Sequence, residues 1–234
     1  EEWGTGTTPE GWTIGHQIGH LHWTDRQSVL AIRDEAAFNA QMMEFAAKAE
    51  TLVDDAAAEL AAVAPEELLE QWRTGRTDLA TRLAAVPDGE KVPWYGPPMS
   101  PISMATARLM ETWAHSFDVF DALGLEKPQS DRVRHICHLG IRTFGYAHLV
   151  RGEAIPEVEV RVELTSPSGE LWTWGPETAE QRVTGSAWDF ALLATRRRHR
   201  NDVDLQAVGA AAEHWLDIAQ TFAGSPGNDP VPLT

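Results

Sequence analysis

The sequence predicts an α+β fold, with a helical bundle over residues 1–153 and a smaller α+β domain over residues 154–234. Apolar residues recur at three- and four-residue spacing in segment after segment up to about residue 150, the period of amphipathic helices. Beyond "RGEAIPE" the period changes: Val158, Val160, Val162 and Leu164 alternate with Glu159, Arg161 and Glu163, as in a half-buried strand. At 234 residues the chain is long enough to bury a core in each part.

Gly11 and Thr13 supply a turn and an N-cap for a first helix to about Ile32, with Ile14, Ile18, Leu21, Val29 and Ile32 on one face. Asp34 caps a second helix from Glu35 to about Lys48, and "DDAAAELAAV" has helical composition. "APEELLEQWRTGRTDLATRLAAV" opens with Pro65 in a first-turn position followed by acids, both helix-start signals. The proline-dense stretch 87–101 is a loop with Trp94 and Tyr95 at its centre. Ile102 to Leu123 reads as a long helix ended by Gly124, and Asp131 to Val150 as another. "SPSG" then turns the first strand into a second, "ELWTWG". Helical segments follow at about 185 to 196 and 210 to 222 before a Pro- and Gly-rich tail.

Composition narrows the function. A formal charge of −16 repels phosphate backbones and anionic lipid alike, so nucleic acid and membranes are excluded as partners and a small-molecule substrate is expected. No run of about 18 apolar residues occurs to span a bilayer. Cys137 stands alone, which rules out an internal disulfide and favours a reducing, cytoplasmic location. With nothing nearby beyond two histidines to lower its pKa, Cys137 reads as a small core residue. "TRRRHR" at 195–200 is a solvated charge run, of which Arg197 could hold a substrate carboxylate. Oligomeric state leaves no trace in the sequence.

Two stretches carry chemistry. "GWTIGHQIGHLHWTD" places His16, His20 and His22 within two helical turns, beside Trp23. In "ARLMETWAHSFDVFDALG", Arg108, Glu111, His115 and Asp118 form one polar stripe, opposite Leu109, Trp113, Phe117 and Phe120. Either stripe alone is what a surface helix shows. Two histidines and a glutamate drawn from two helices, however, make a facial set that binds a divalent ion and leaves positions open.

"TTPEGWTIGHQIGHLHWTD" and "ETWAHSFDVFDALG" resemble the two metal-binding motifs of the DinB-like superfamily, in particular its mycothiol-dependent maleylpyruvate isomerase branch. The C-terminal stretch from "RVTGSAWDF" onward is similar to that of an actinobacterial subgroup described by metal binding. The resemblance implies a DinB-like four-helix bundle whose first helix has no counterpart here, with His20, Glu111 and His115 as metal ligands and Asp118 behind them. It implies a divalent metal, zinc first and nickel, iron or manganese as alternatives, and mycothiol or a similar thiol as cosubstrate. His16, Trp23, Trp94, Tyr95, Arg108 and Arg197 are the candidates for a substrate pocket. The activity implied is addition of a metal-activated thiol to an electrophilic carbon: in an isomerase the adduct rotates about the former double bond and releases the thiol, in a transferase the thiol stays. A metal-dependent hydrolase or lyase using bound water, and a non-enzymatic metal or small-molecule binding protein, are the alternatives.

Overall fold

The structure is a computed structural model that describes residues 2–46, 51–224 and 226–233. Its chain forms two compact units, the first running to Lys127 and the second beginning at Pro128. The expected boundary at 153/154 therefore moves upstream. The helices of residues 133–149 pack on helices that follow the strands, and so belong to the C-terminal unit.

The first unit holds α1 (Ile14–Arg33), α2 (Glu35–Ala46), α3 (Leu52–Ala61), α4 (Pro65–Ala85) and α5 (Pro101–Ala122). The expected end of α2 near Lys48 lies outside the described residues. Helix α1 packs against all of the others, and it buries polar residues as well as Leu21: Gln17, His20, His22, Asp25 and Gln27 are all inside. Its weak amphipathicity in sequence follows from this central position, because no side of it is left to solvent for long. Two glycines set the crossing with α3. A Cβ at Gly19 would stand 2.9 Å from the Ala57 carbonyl oxygen, and one at Gly15 would meet the Ala61 Cβ at 3.5 Å. Helix α4 starts with Pro65, and α5 with Pro101 behind Ser100, whose hydroxyl accepts from the Ser103 amide. The loop before α5 closes through a bridge between Val92 and Met99, and Val92 joins Phe38, Ala31 and Met104 in a hydrophobic cluster.

The second unit contains α6 (Val133–Arg142), α7 (Phe144–Leu149), β1 (Val160–Thr165), β2 (Leu171–Trp174), β3 (Gln181–Ser186), α8 (Ala187–Ala194), β4 (Leu205–Val208) and α9 (Ala210–Ile218). The single helix expected from Asp131 to Val150 is interrupted at Thr143, whose hydroxyl bonds back to the Leu139 and Gly140 carbonyls and competes with the regular ladder. Strand order is β2-β1-β3-β4, with β1 antiparallel to β2 and parallel to β3. Val162 and Leu164 point into the core, as the alternation predicts, and Val183 of β3 joins them there. Val158 lies before β1 and is exposed. Cys137 is buried on α6 with its thiol directed at the Ala187 carbonyl, and burial pushes that thiol up.

Candidate metal centre

The site is built where α1 crosses α5. His20 projects from α1; Glu111 and His115, one turn apart, project from α5. A ligand atom from each of the three lies within 4.8 Å of the other two. His20 Nε2 stands 3.0 Å from Glu111 Oε2, and the two imidazole centroids are 4.5 Å apart. Donors around a four-coordinate zinc are separated by about 3.4 Å, for bonds near 2.1 Å. The His20–Glu111 separation is thus within a few tenths of an ångström of what such an ion needs, and the His115 donor lies within 4.8 Å of both.

Their neighbours prepare them for that role. His115 Nδ1 is 2.5 Å from Gln17 Oε1, while Gln17 Nε2 donates to Thr7 Oγ1 at 2.8 Å. With the amide thus oriented, Gln17 can only accept from the ring. His115 then carries its proton on Nδ1 and keeps the Nε2 lone pair for a ligand. Asp118, expected behind His115, is there and buried, with Oδ2 3.7 Å from the same Nδ1; Gln17 is the closer partner.

Arg108, one turn before Glu111, is also inside. Its Nε donates to Asp25 Oδ1 at 2.9 Å and its Nη1 to Glu111 Oε2 at 3.1 Å, while Trp72 Nε1 donates to the other Asp25 oxygen. A buried guanidinium without partners would be strongly destabilising, so the Asp25 pair is what permits Arg108 to lie there. Burial alone would raise the Glu111 carboxyl. The hydrogen bond from His20 and the charges of Arg108, His20 and His115 outweigh it and hold the group well below the ordinary carboxylate range. Glu111 is consequently ionised at any pH where the protein would work.

The pocket candidates divide. Arg108, a substrate-pocket candidate, adjoins the centre as a partner of Glu111. His16 Nδ1 is committed to Thr13 at the start of α1, so this ring closes the helix end. Trp23 lies beside His20, with centroids 6.5 Å apart, and stacks on Tyr95, whose hydroxyl donates to Gln27. Trp23 also lines a cavity of about 370 Å³ with Phe45, Leu52 and Leu60, but none of the three candidate ligands lines it. Trp23, offered by the sequence as a substrate-pocket residue, therefore lines a cavity to which the candidate ligands do not contribute. Trp94 is half-buried and stacks on Phe38 against the hydrophobic cluster, so it supports that cluster and not the candidate centre. Arg197 belongs to the second unit, where its guanidinium donates to the Thr195 carbonyl. His22 packs against Gly75 of α4, and burial, reinforced by Arg26, lowers its pKa.

The residue that covers the centre is Trp12. The turn at Gly11, whose φ is 78°, brings its indole to 5.5 Å from the His20 ring and stacks it 6.0 Å from His115, and its Nε1 is tied to Asp54 of α3. Nothing in the sequence around Trp12 signals this role, because its distance to α5 is not written in any local spacing.

Residues 1–120, just over half of the chain, match the model of the mycothiol maleylpyruvate isomerase N-terminal domain, and the chain belongs to this family. Residues 156–208, the span that holds all four strands, match a second model described as wyosine base formation. An uncharacterized protein of Mycobacterium tuberculosis, found in two strains, is 56% identical over 227 residues, which cover 97% of this chain and 88% of the relative. Among solved structures, the mycothiol-dependent maleylpyruvate isomerase superposes with a TM-score of 0.55 at 18% identity, covering 88% of this chain and 82% of that one. A histidine-to-alanine mutant of that enzyme gives a TM-score of 0.52 at 18% identity, over 84% and 79% of the two chains. At this identity the likeness is one of fold, and it bears out the α+β architecture.

Proposed function

We propose that this protein is a metal-dependent enzyme in which His20, Glu111 and His115 hold a divalent ion, zinc in the first instance, and direct a low-molecular-weight thiol such as mycothiol onto an electrophilic small molecule. The observation that carries the reading is the convergence of two imidazoles and a carboxylate across two helices, with Gln17 fixing the tautomer of one and Arg108 holding the charge of another. When bound, the ion would lower the pKa of a coordinated thiol enough to keep it as thiolate at neutral pH.

The chain's own residues contribute order and dryness. Trp12 shields the two imidazoles from water on one side and offers an aromatic face to an organic substrate. Arg108 and Asp25 keep Glu111 anionic and in place, so that little reorganisation is needed when charge develops nearby. Addition of the thiol sulfur to a carbon–carbon double bond conjugated with a carbonyl leaves a single bond that rotates. Elimination of the thiol then restores the double bond in the other geometry, whereas retention of the sulfur makes the same site a transferase. A small acidic substrate, as the structural neighbour's name implies, and a cytoplasmic location, as the lone buried Cys137 implies, accompany this reading.

The test is metal analysis of protein purified without chelator, followed by turnover of maleylpyruvate with and without mycothiol. Expected are bound metal, thiol-dependent turnover, and joint loss of both in His115→Ala, while Cys137→Ser changes neither. A metal-free His115→Ala variant with full activity would make the ion incidental, and turnover independent of thiol would favour hydrolysis or lyase chemistry.

A further inference from the structure

We propose that His148, Glu153 and His214 form a second divalent-cation site, in the C-terminal unit and independent of the His20 centre. A ligand atom from each of these three also lies within 4.8 Å of the other two, and the donor set is again two imidazoles and one carboxylate. His148 Nδ1 is 3.1 Å and His214 Nε2 2.7 Å from the same carboxylate oxygen, Glu153 Oε2. The ring centroids of the histidines are 5.5 Å apart, so the nitrogens converge on the carboxylate from two directions.

Three separate features hold these groups in register. Helix α7 ends in a turn at Gly152, with φ 71°, in which the Glu153 amide donates back to the His148 carbonyl; this seats Glu153 over His148. Helix α9 is anchored at its start by Gln181 of β3, whose side-chain oxygen accepts from the Ala211 and Ala212 amides. Along α9, Trp215 packs edge-on against Phe144 and Phe190, which fixes the face that carries His214. The arrangement is therefore built by the fold and is not a chance meeting of surface side chains.

The chemistry of the donors points to a cation. His148 is buried, its Nε2 has no hydrogen-bonding partner among the described residues, and its Nδ1 faces Glu153, so Nδ1 is the nitrogen it presents to a ligand. Glu153 and His214 keep 37% and 46% of their side chains exposed, which leaves an entry path and room for water to complete the coordination. Two imidazoles with one carboxylate suit zinc and its neighbours in the first transition row better than calcium or magnesium, which prefer oxygen throughout. Arg151, which Glu153 also attracts, has its guanidinium committed to the Ala147 carbonyl. In such a site the ion would tie the end of α7 to α9 as a structural clamp.

Stoichiometry separates this site from the first. Metal-stripped full-length protein is titrated with zinc against a chromophoric chelator, and with cobalt(II) for its visible spectrum, in the wild type, His115→Ala, His214→Ala, Glu153→Gln and the His115→Ala/His214→Ala double variant. Expected are two equivalents in the wild type, one in each single variant with a distinct cobalt spectrum, and none in the double. His214 is half-exposed, so its substitution leaves the fold intact, and circular dichroism verifies this. Zinc binding by His214→Ala and Glu153→Gln equal to that of the wild type overturns the second site, whatever His115→Ala does. One equivalent lost in His214→Ala and in Glu153→Gln but none in His115→Ala would leave the second site standing and remove the first.

Discussion

Gln17 illustrates how a single neutral side chain sets up the chemistry of the candidate centre. Its oxygen faces His115 and its nitrogen faces Thr7, so its orientation is decided on both sides. Gln17→Ala leaves the His115 Nδ1–H without this acceptor, and zinc affinity at the first centre should fall by about 10- to 100-fold, the usual effect of losing a group that orients a metal-binding histidine. Gln17→Glu restores an acceptor and should recover affinity, which a merely structural role for residue 17 would not predict. Unchanged zinc affinity in Gln17→Ala, measured by chelator competition on folded protein, would show that His115 is oriented by something else. The three candidate ligands themselves were legible in the sequence, because Glu111 and His115 share a helix face and the motifs around them are informative. Gln17 and Trp12 were not. Gln17 acts across 98 residues of chain, on a partner that helical periodicity cannot reveal. For the same reason the loop sequence offers Trp94 as a pocket residue, whereas in the fold it packs, half-buried, on Phe38.

At the level of the elements, the contrast between Gly15 and Gly19 tests the crossing of α1 and α3. Replacing glycine by alanine inside a helix contributes about 1 kcal/mol of propensity. At Gly15 the new methyl would meet Ala61 at an ordinary contact distance of 3.5 Å, so Gly15→Ala should be neutral or stabilising. At Gly19 it would press on the backbone oxygen of Ala57 at 2.9 Å, and overpacking of this kind costs about 1–3 kcal/mol. Gly19→Ala should therefore unfold at lower urea than Gly15→Ala, and equal midpoints would contradict the close approach. Helices with strong end signals were readable: Thr13, Pro65 and Gly124 each stand within two residues of an observed terminus, whereas Pro101, assigned to the loop, is the first residue of α5. Strands β3 and β4 were not. β4 is four residues long, and β3 carries Gly185 at φ 144°, where a Cβ would collide with the Asp204 carbonyl. Both take their conformation from pairing with a neighbour, which no local pattern records.

For the whole molecule, pH acts on the two units through different groups. The Glu111 carboxyl is held low in the folded first unit by His20 and Arg108 against the effect of burial. As pH falls below about 4.3 the unfolded chain takes up this proton before the native one does, so stability present above that pH is lost on acidification. The Cys137 thiol in the second unit is pushed up by burial. As pH rises above about 8.5 the unfolded chain releases a proton that the native one retains, and stability present below that pH is lost. Tyr95, pushed up to about 12 by burial, acts in the same direction from about pH 10. Metal-free protein should accordingly be most stable between about pH 5 and 8. Cys137→Ala should flatten the decline between about pH 8.5 and 10, and Glu111→Gln the decline on the acid side. Urea midpoints across this range measure both, at raised ionic strength so that the −16 formal charge is screened. An alkaline profile for Cys137→Ala parallel to that of the wild type would place the lost proton elsewhere. Hydrogen exchange adds the location, since the alkaline loss of protection should begin around α6 and α8, where the Cys137 thiol meets the Ala187 carbonyl, and the acid loss around α1 and α5.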